Sequence, residues 1–155
     1  MSFKSLMVAC GLALGLLVQP VMAEQFEDRL AIPALKTVEV IIDLSAQTMK
    51  VYDYEFGGSY LWKVSTARRG YVTPLGSYHP YLLKRMHYST RYENSPMPYS
   101  IFFKGNFAIH GTNYIKSLGR PVSHGCVRLA PKYAKVLFDL VKQAGMNNTI
   151  ITVVP

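Results

Sequence analysis

Apolar and polar positions along most of this chain alternate in short runs, the period of strands rather than of helices. Val38 to Leu44 (VEVIIDL) is a β-branched run, Ser45-Ala46-Gln47 interrupts it, and Thr48 to Tyr54 (TMKVYDY) alternates again with Met49 and Val51 on one face. That pair predicts a β-hairpin. Tyr60 to Thr66 predicts another strand, and the loop after it carries turn residues in Arg68-Arg69-Gly70 and Thr73-Pro74-Leu75-Gly76. Tyr78 to Leu83 is a further candidate strand. Lys84 to Pro98 holds Arg85, His87, Arg91, Glu93, Asn94, Pro96 and Pro98 among scattered tyrosines without a period, and reads as a functional loop or lid. Tyr99 to Phe103 and Phe107 to His110 return to strand.

One segment has the helical period. From Pro131 to Ala144, the residues Tyr133, Val136, Leu137, Leu140, Val141 and Ala144 fall at i, i+3, i+4 spacing, with Pro131 in the first turn and Gly145 as the C-terminal cap. Thr149 to Val154 is a closing strand. Many strands, one helix and a last strand, without a βαβ repeat, predict a mainly β domain.

The N-terminus changes the picture of where the domain works. Residues 1–23 carry one charge, Lys4, then an apolar run from Leu6 to Val18 and a small-residue exit at Val21-Met22-Ala23. This is the pattern of a secretory signal peptide, and the apolar run is short of the roughly 20 residues a membrane span needs. A lipoprotein cysteine follows a longer apolar stretch than the one before Cys10. Cleavage after Ala23 leaves residues 24–37 as a short leader and 38–155 as one domain, with no stable membrane anchor and no room for an accessory module. It also leaves Cys126 as the only thiol of an exported protein, so no internal disulfide forms. The expected location is the periplasm or cell wall, as a monomer. The net charge of +8 falls to +7 without Lys4, which suits anionic surroundings such as cell-wall polymer, phospholipid head groups or an acidic protein. Nucleic acid is not expected, because no basic run is clustered.

The candidate chemistry lies in His110 to Leu129 (HGTNYIKSLGRPVSHGCVRL). His110 closes an apolar run, and Cys126 follows sixteen positions later inside Ser123-His124-Gly125-Cys126. A thiol needs a base to act as thiolate near neutral pH, and a flanking glycine lets backbone amides approach an oxyanion. The order strand, loop, returning nucleophile predicts acyl transfer. His124 is nearer to Cys126 in sequence, but side chains two apart in an extended segment are not positioned for proton transfer, so His110 is the preferred base.

These residues resemble a known family. Ile109-His110-Gly111-Thr112, Leu118-Gly119 and Ser123-His124-Gly125-Cys126-Val127-Arg128-Leu129 are similar to the L,D-transpeptidase catalytic domain of the YkuD type. Thr73-Pro74-Leu75-Gly76-Ser77-Tyr78 resembles that family's Thr-Pro-x-Gly-x-Phe turn, and Met97-Pro98-Tyr99 its substrate-side loop, so the resemblance spans about Val38 to Val154. It implies a β-sandwich-like domain with one main helix and a peptidoglycan L,D-transpeptidase with Cys126 as nucleophile and His110 as base. The implied third partner is a backbone carbonyl or hydroxyl, with Gly111 and Thr112 nearest. The N–H groups of His124, Gly125 and Cys126 are the implied oxyanion donors, and Ser123 shapes the pocket. Arg128 either receives a substrate carboxylate or braces the loop through carbonyls. Of the tyrosines around these segments, 71, 78, 81, 88, 92 and 99, Tyr99 is the one placed on the substrate side. The implied donors are tetrapeptide stems, and no metal or organic cofactor is required.

Three readings compete. Water in place of an amine acceptor makes the same site an L,D-carboxypeptidase. His110, His124 and Cys126 with His79 or His87 make a zinc site of irregular spacing, without an HExxH pair. A wall-binding module without catalysis is the third.

Overall fold

The computed structural model describes residues 37–155; the signal-peptide expectation, and the leader expectation except at Thr37, lie outside them. Nine strands run in the order β1 (Val38–Asp43), β2 (Thr48–Asp53), β3 (Gly58–Lys63), β4 (Gly76–Tyr78), β5 (Leu82–Ser89), β6 (Ser95–Lys104), β7 (Phe107–Gly111), β8 (Val127–Leu129) and β9 (Thr149–Val154), with helix α1 (Pro131–Ala144) before the last. They form a five-stranded sheet, β3-β2-β1-β9-β4, and a four-stranded sheet, β5-β6-β7-β8. The β1–β2 hairpin is antiparallel, with Val40 opposite Val51, as the alternation predicts. Two pairings are parallel, β1 with β9 and β7 with β8.

A single core fills the space between the sheets. Val40, Ile42, Met49, Val51, Ile151 and Val153 of the first sheet meet Ile101, Phe103, Ile109, Val127 and Leu129 of the second, with Ala134, Leu137, Phe138 and Val141 from α1. This is the mainly β, sandwich-like domain with one main helix that the pattern predicts. Burying one face of each sheet leaves the other face of the second sheet free. There Met97, Phe102 and Ala108 form a separate small cluster against which Cys126 packs.

Several expectations are corrected. The segment from Lys84 to Pro98 is a β-hairpin: Lys84 pairs with Ser100, His87 with Met97 and Ser89 with Ser95, around a turn in which Glu93 and Asn94 have φ of 49° and 52°. Its strands are mostly exposed, so no apolar period marks them. Pro96 and Pro98 are tolerated because that part of β6 pairs on one side only; its ladder with β7 begins at Ile101. Residue 99 also breaks the alternation. Tyr99 has φ of 56°, and Ser100 Oγ donates to the Met97 carbonyl at 2.7 Å, so Met97 joins the outer cluster while Tyr99 and Ile101 face the core. The candidate strand Tyr78 to Leu83 is two strands: β4 pairs with β9 and β5 with β6, and the chain changes sheets at His79-Pro80-Tyr81. The strand predicted over Tyr60 to Thr66 ends at Lys63.

The helix has the predicted ends, with Pro131 at its start and the Gly145 N–H bonded to the Val141 carbonyl. Its buried face is turned by one residue from the predicted stripe: Ala134, Leu137, Phe138 and Val141 are inside, and Val136 is 37% exposed. Phe138 takes the inner place because the Tyr99 ring meets it edge-on at 5.9 Å. Replacing Leu137 by Ala is expected to cost about 2–5 kcal/mol by transfer and cavity terms, while Val136→Ala stays within about 0.5 kcal/mol. Urea unfolding of the two variants checks this, and equal losses would contradict the assignment of the buried face.

Candidate active site

β7 ends its core-facing run at Ile109, so the next residue, His110, turns to the opposite face of the second sheet. In the parallel ladder Ile109 lies opposite Val127, His110 opposite Arg128 and Gly111 opposite Leu129. One step back along this register sets Cys126 beside Ala108, on the face that carries His110 and Arg128. The thiol and imidazole are therefore diagonal neighbours on adjacent strands, which lie about 4.8 Å apart. The spacing in the sequence has a structural reason: a parallel pair needs a crossover of a dozen or more residues, and the stretch from Thr112 to Cys126 supplies it.

His110 is 6% exposed, and its Nδ1 lies 2.8 Å from the Gly111 carbonyl oxygen. A carbonyl only accepts, so Nδ1 carries the proton and Nε2 holds the free lone pair. Burial lowers the imidazole pKa to about 4, and the charges of Arg128 and His87 act in the same direction, against the Gly111 carbonyl. The ring is neutral at neutral pH. Gly111 has no room for a side chain, since a Cβ there would stand 3.0 Å from Pro98 Cγ and 3.1 Å from Pro131 Cα. Thr112 is buried, bonds the Leu129 carbonyl through its N–H at 2.8 Å and receives the Tyr114 N–H at its hydroxyl.

Cys126 is the free cysteine among the described residues, and its Sγ stands 3.7 Å from the Asn106 carbonyl oxygen. Burial pushes the thiol pKa up, while a hydrogen bond from the Ala108 backbone and the Arg128 charge favour the thiolate. The resting pair is thus thiol and neutral imidazole, because burial disfavours charge on both.

The turn carrying Cys126 is held from several sides. Ser123 Oγ donates to the Cys126 carbonyl at 2.6 Å and accepts the Gly125 N–H at 3.0 Å. Thr73 Oγ1 donates to the Gly125 carbonyl at 2.8 Å and accepts the Ala67 N–H. Gly125 has φ of 129°, and a Cβ would come within 2.6 Å of the Phe107 ring and 2.8 Å of the Val72 carbonyl. No L side chain fits there. Behind the turn, Ser65 exchanges backbone hydrogen bonds with Arg128, Ser123 N–H bonds the Thr66 carbonyl, and Arg68 N–H bonds the Ser123 carbonyl.

The structure thus gathers His110, Gly111, Ser123, His124, Gly125, Cys126 and Arg128 around the β7–β8 pair. Tyr99 lies elsewhere, against α1. His124 is half-buried between two tyrosines, stacked on Tyr92 at 4.4 Å and met edge-on by Tyr71 at 4.7 Å. Burial and the charges of Arg68 and Arg128 lower its pKa. His87 sets its ring edge-on to Phe102, and His79 Nδ1 contacts the Thr149 carbonyl. Among the described residues no three of His, Cys, Asp and Glu converge as metal ligands, so the zinc reading has no ligand set there. From the sequence, Thr73 and Arg68 receive no site role, and Tyr92 stands only as one of six tyrosines around the site segments. Thr73 had a signal, in the Thr-Pro-x-Gly turn; the other two become neighbours of His124 only through the fold.

A family model for the L,D-transpeptidase catalytic domain (YkuD) matches residues 37–153. The probable L,D-transpeptidase YbiS of Escherichia coli K12 is 36% identical over 70 residues, covering 37% of this chain and 23% of that protein. Among solved structures, an L,D-transpeptidase from Stackebrandtia nassauensis is 27% identical with a TM-score of 0.65, covering 77% of this chain and 56% of that one. The fold is also that of an L,D-transpeptidase from Mycobacterium smegmatis, at a TM-score of 0.67, 19% identity, and coverage of 77% and 59%. The chain therefore spans under a quarter of the curated relative and less than two thirds of these two structures. With the match running through both sheets, the helix and the His110–Cys126 face, this chain belongs to the L,D-transpeptidase catalytic domain family.

Proposed function

We propose that this protein is an exported peptidoglycan L,D-transpeptidase acting in the periplasm or cell wall on the tetrapeptide stems of peptidoglycan. The observation that carries the reading is the Nδ1 contact of His110 with the Gly111 carbonyl, which leaves Nε2 free on the face that carries Cys126. Nε2 takes the proton of the Cys126 thiol as sulfur attacks the carbonyl of the L-centre, so the charged pair that burial disfavours at rest forms only as the reaction proceeds. The oxyanion is held by the backbone N–H groups of His124 and Cys126, since that of Gly125 is already bonded to Ser123 Oγ. The imidazolium returns its proton to the leaving nitrogen, D-alanine departs, and a thioester on Cys126 remains. An amine acceptor then attacks the thioester and gives a proton back through His110, restoring the thiol.

The remaining parts are those a short, positioned nucleophile needs. Ser123 and Thr73 fix the backbone on either side of Gly125, so Cys126 does not move when it is attacked or released. Arg128 stands beside His110 with its guanidinium available for a substrate carboxylate. Family membership and the likeness to the named L,D-transpeptidases support the reaction class.

The test feeds purified tetrapeptide and pentapeptide muropeptides separately and follows D-alanine release and dimers by mass spectrometry. Release and dimers from tetrapeptide alone are expected; tripeptide without dimers would make water the acceptor, and turnover of pentapeptide alone would contradict the proposal. Cys126→Ala is expected to abolish release while changing stability by no more than about 1 kcal/mol, because the thiol touches only a small cluster. His110→Gln is expected to slow acylation by about a hundredfold or more, as for a lost general base. His124→Ala should slow it less; a dead His124 variant beside an active His110 variant would reverse the assignment of the base.

His110 also predicts an acid limit on stability. Its folded pKa of about 4 lies below the ordinary value of 6.5, so between these values the unfolded chain binds a proton that the folded one excludes. Stability is therefore present in full above pH 6.5 and falls as the pH drops toward 4. At pH 4.5 the loss from this group is about 2–3 kcal/mol. Urea unfolding at pH 7 and 4.5 should show this loss in the wild type and not in His110→Gln; equal losses in both would contradict a buried neutral imidazole.

A further inference from the structure

Gln47 closes the turn between β1 and β2 with φ of 52°, a left-handed conformation that glycine and asparagine adopt more readily than a long side chain. It is also buried, at 4% exposure, and both amide hydrogens and the oxygen of its side chain are in use. Nε2 donates to the Leu44 carbonyl at 2.7 Å and to Thr66 Oγ1 at 2.5 Å, and Oε1 accepts the Thr66 N–H at 2.9 Å. A carbonyl only accepts and an N–H only donates, so the amide has one orientation. Thr66 is thereby held at its N–H and at its hydroxyl by one side chain from a turn 19 positions away.

Residues 65–68 form the strip to which the Cys126 turn is pinned. Ser65 exchanges backbone hydrogen bonds with Arg128, the Thr66 carbonyl accepts the Ser123 N–H at 2.8 Å, and the Arg68 N–H bonds the Ser123 carbonyl. Ser123 Oγ in turn holds the Cys126 carbonyl and the Gly125 N–H. Beside the strip lies a cleft of about 360 Å³, lined among others by Gln47, Thr66, Ala67 and Thr73, so packing does not back the strip there. Among the described residues, the hydrogen bonds that tie residues 65–68 to the strands and hairpin turn of the first sheet are those of the Gln47 carboxamide.

We propose that Gln47 is a positioning residue for acyl transfer: its carboxamide fixes Thr66, Thr66 fixes Ser123, and the Ser123 hydroxyl sets the backbone that carries the Cys126 thiol and its oxyanion donors. This rests on the acyl-transfer reading above and adds to it a residue on the other sheet that touches no reacting atom. The chemistry selects a long amide at position 47 in spite of the left-handed backbone. Asparagine is one methylene too short for the same reach, a carboxylate lacks both hydrogens, and methionine offers neither donor nor strong acceptor. A strained backbone that persists around a fully bonded buried side chain marks a position where that side chain is needed. The need is for alignment, since a nucleophile displaced by about 1 Å loses on the order of a hundredfold in rate.

The experiment uses the full chain and a synthetic tetrapeptide stem as donor, at a temperature where circular dichroism shows each variant folded. Gln47→Met, close in size and without the hydrogen bonds, is expected to lower kcat about tenfold with KM changed less than about twofold. Val38→Ala, which opens a core cavity at the far end of β1, should lower the unfolding midpoint and leave kcat within about twofold of the wild type. Gln47→Glu should match Gln47→Met at pH 8 and recover toward the wild type at the same pH as it falls to 6, because burial favours the protonated acid, which regains one donor. Hydrogen exchange should quicken at residues 123–126 of Gln47→Met and not in β9. An unchanged kcat, an equal loss in Val38→Ala, a Gln47→Glu equally impaired at both pH values, or exchange quickened evenly in the turn and β9 would each overturn the positioning role. A wild type that releases no D-alanine would instead remove the acyl-transfer reading, and the exchange result would still report whether Gln47 holds the turn.

Discussion

The parallel pairing of β7 with β8 is the constraint on which the site depends. It sets Ile109 and Val127 into the core together, and by the period of a strand it must then turn His110, Arg128 and the Cys126 position to the other face together. A slip of one residue would bury the imidazole in the main core and expose Ile109. Register is thus fixed by the hydrophobic effect acting on one face, and chemistry on the opposite face inherits that precision. The crossover that a parallel pair demands also supplies the loop in which Ser123, Gly125 and Cys126 are arranged.

Burial then sets the electrostatics. His110 and Cys126 both sit where charge is costly, so the imidazole is neutral and the thiol protonated at rest. The Gly111 carbonyl selects the tautomer that leaves Nε2 open, and Pro98 and Pro131 fill the space a side chain at position 111 would need, so the residue there is glycine. Arg128 and the Ala108 backbone favour the thiolate, which lowers the cost of the charged state in the proposed reaction without making it the ground state. A thiol protected in this way is also less open to oxidation than a standing thiolate would be.

Much of this was legible in the residues, and the parts that were not share a cause. The β1–β2 hairpin, α1 and β9 declare themselves through period and caps, because each has one face in the core. The β5–β6 hairpin looks like a loop up to Pro98 because β5 is largely exposed and the prolines at the start of β6 sit on an unpaired edge. Gly111 as partner of His110 was one of two candidates in the sequence; choosing between it and Thr112 required the geometry, which turns the Thr112 hydroxyl toward the Tyr114 N–H instead. Gly125 reads from the sequence as a small residue beside a thiol, but its φ of 129° and the Phe107 ring over it belong to the fold. Tyr92 and Arg68 lie 32 and 56 positions from His124 and carry no motif, so only the hairpin and the paired segment bring them there.

The central claim is that Cys126, activated by neutral His110 and backed by backbone donors, forms an acyl-enzyme. The direct measurement is the intact mass of the protein after incubation with a carbapenem, whose strained carbonyl presents the same electrophile as the donor, followed by peptide mapping of the adduct. One adduct per chain, mapped to Cys126, is predicted. An unmodified mass after prolonged incubation, or an adduct on any other residue, would contradict it.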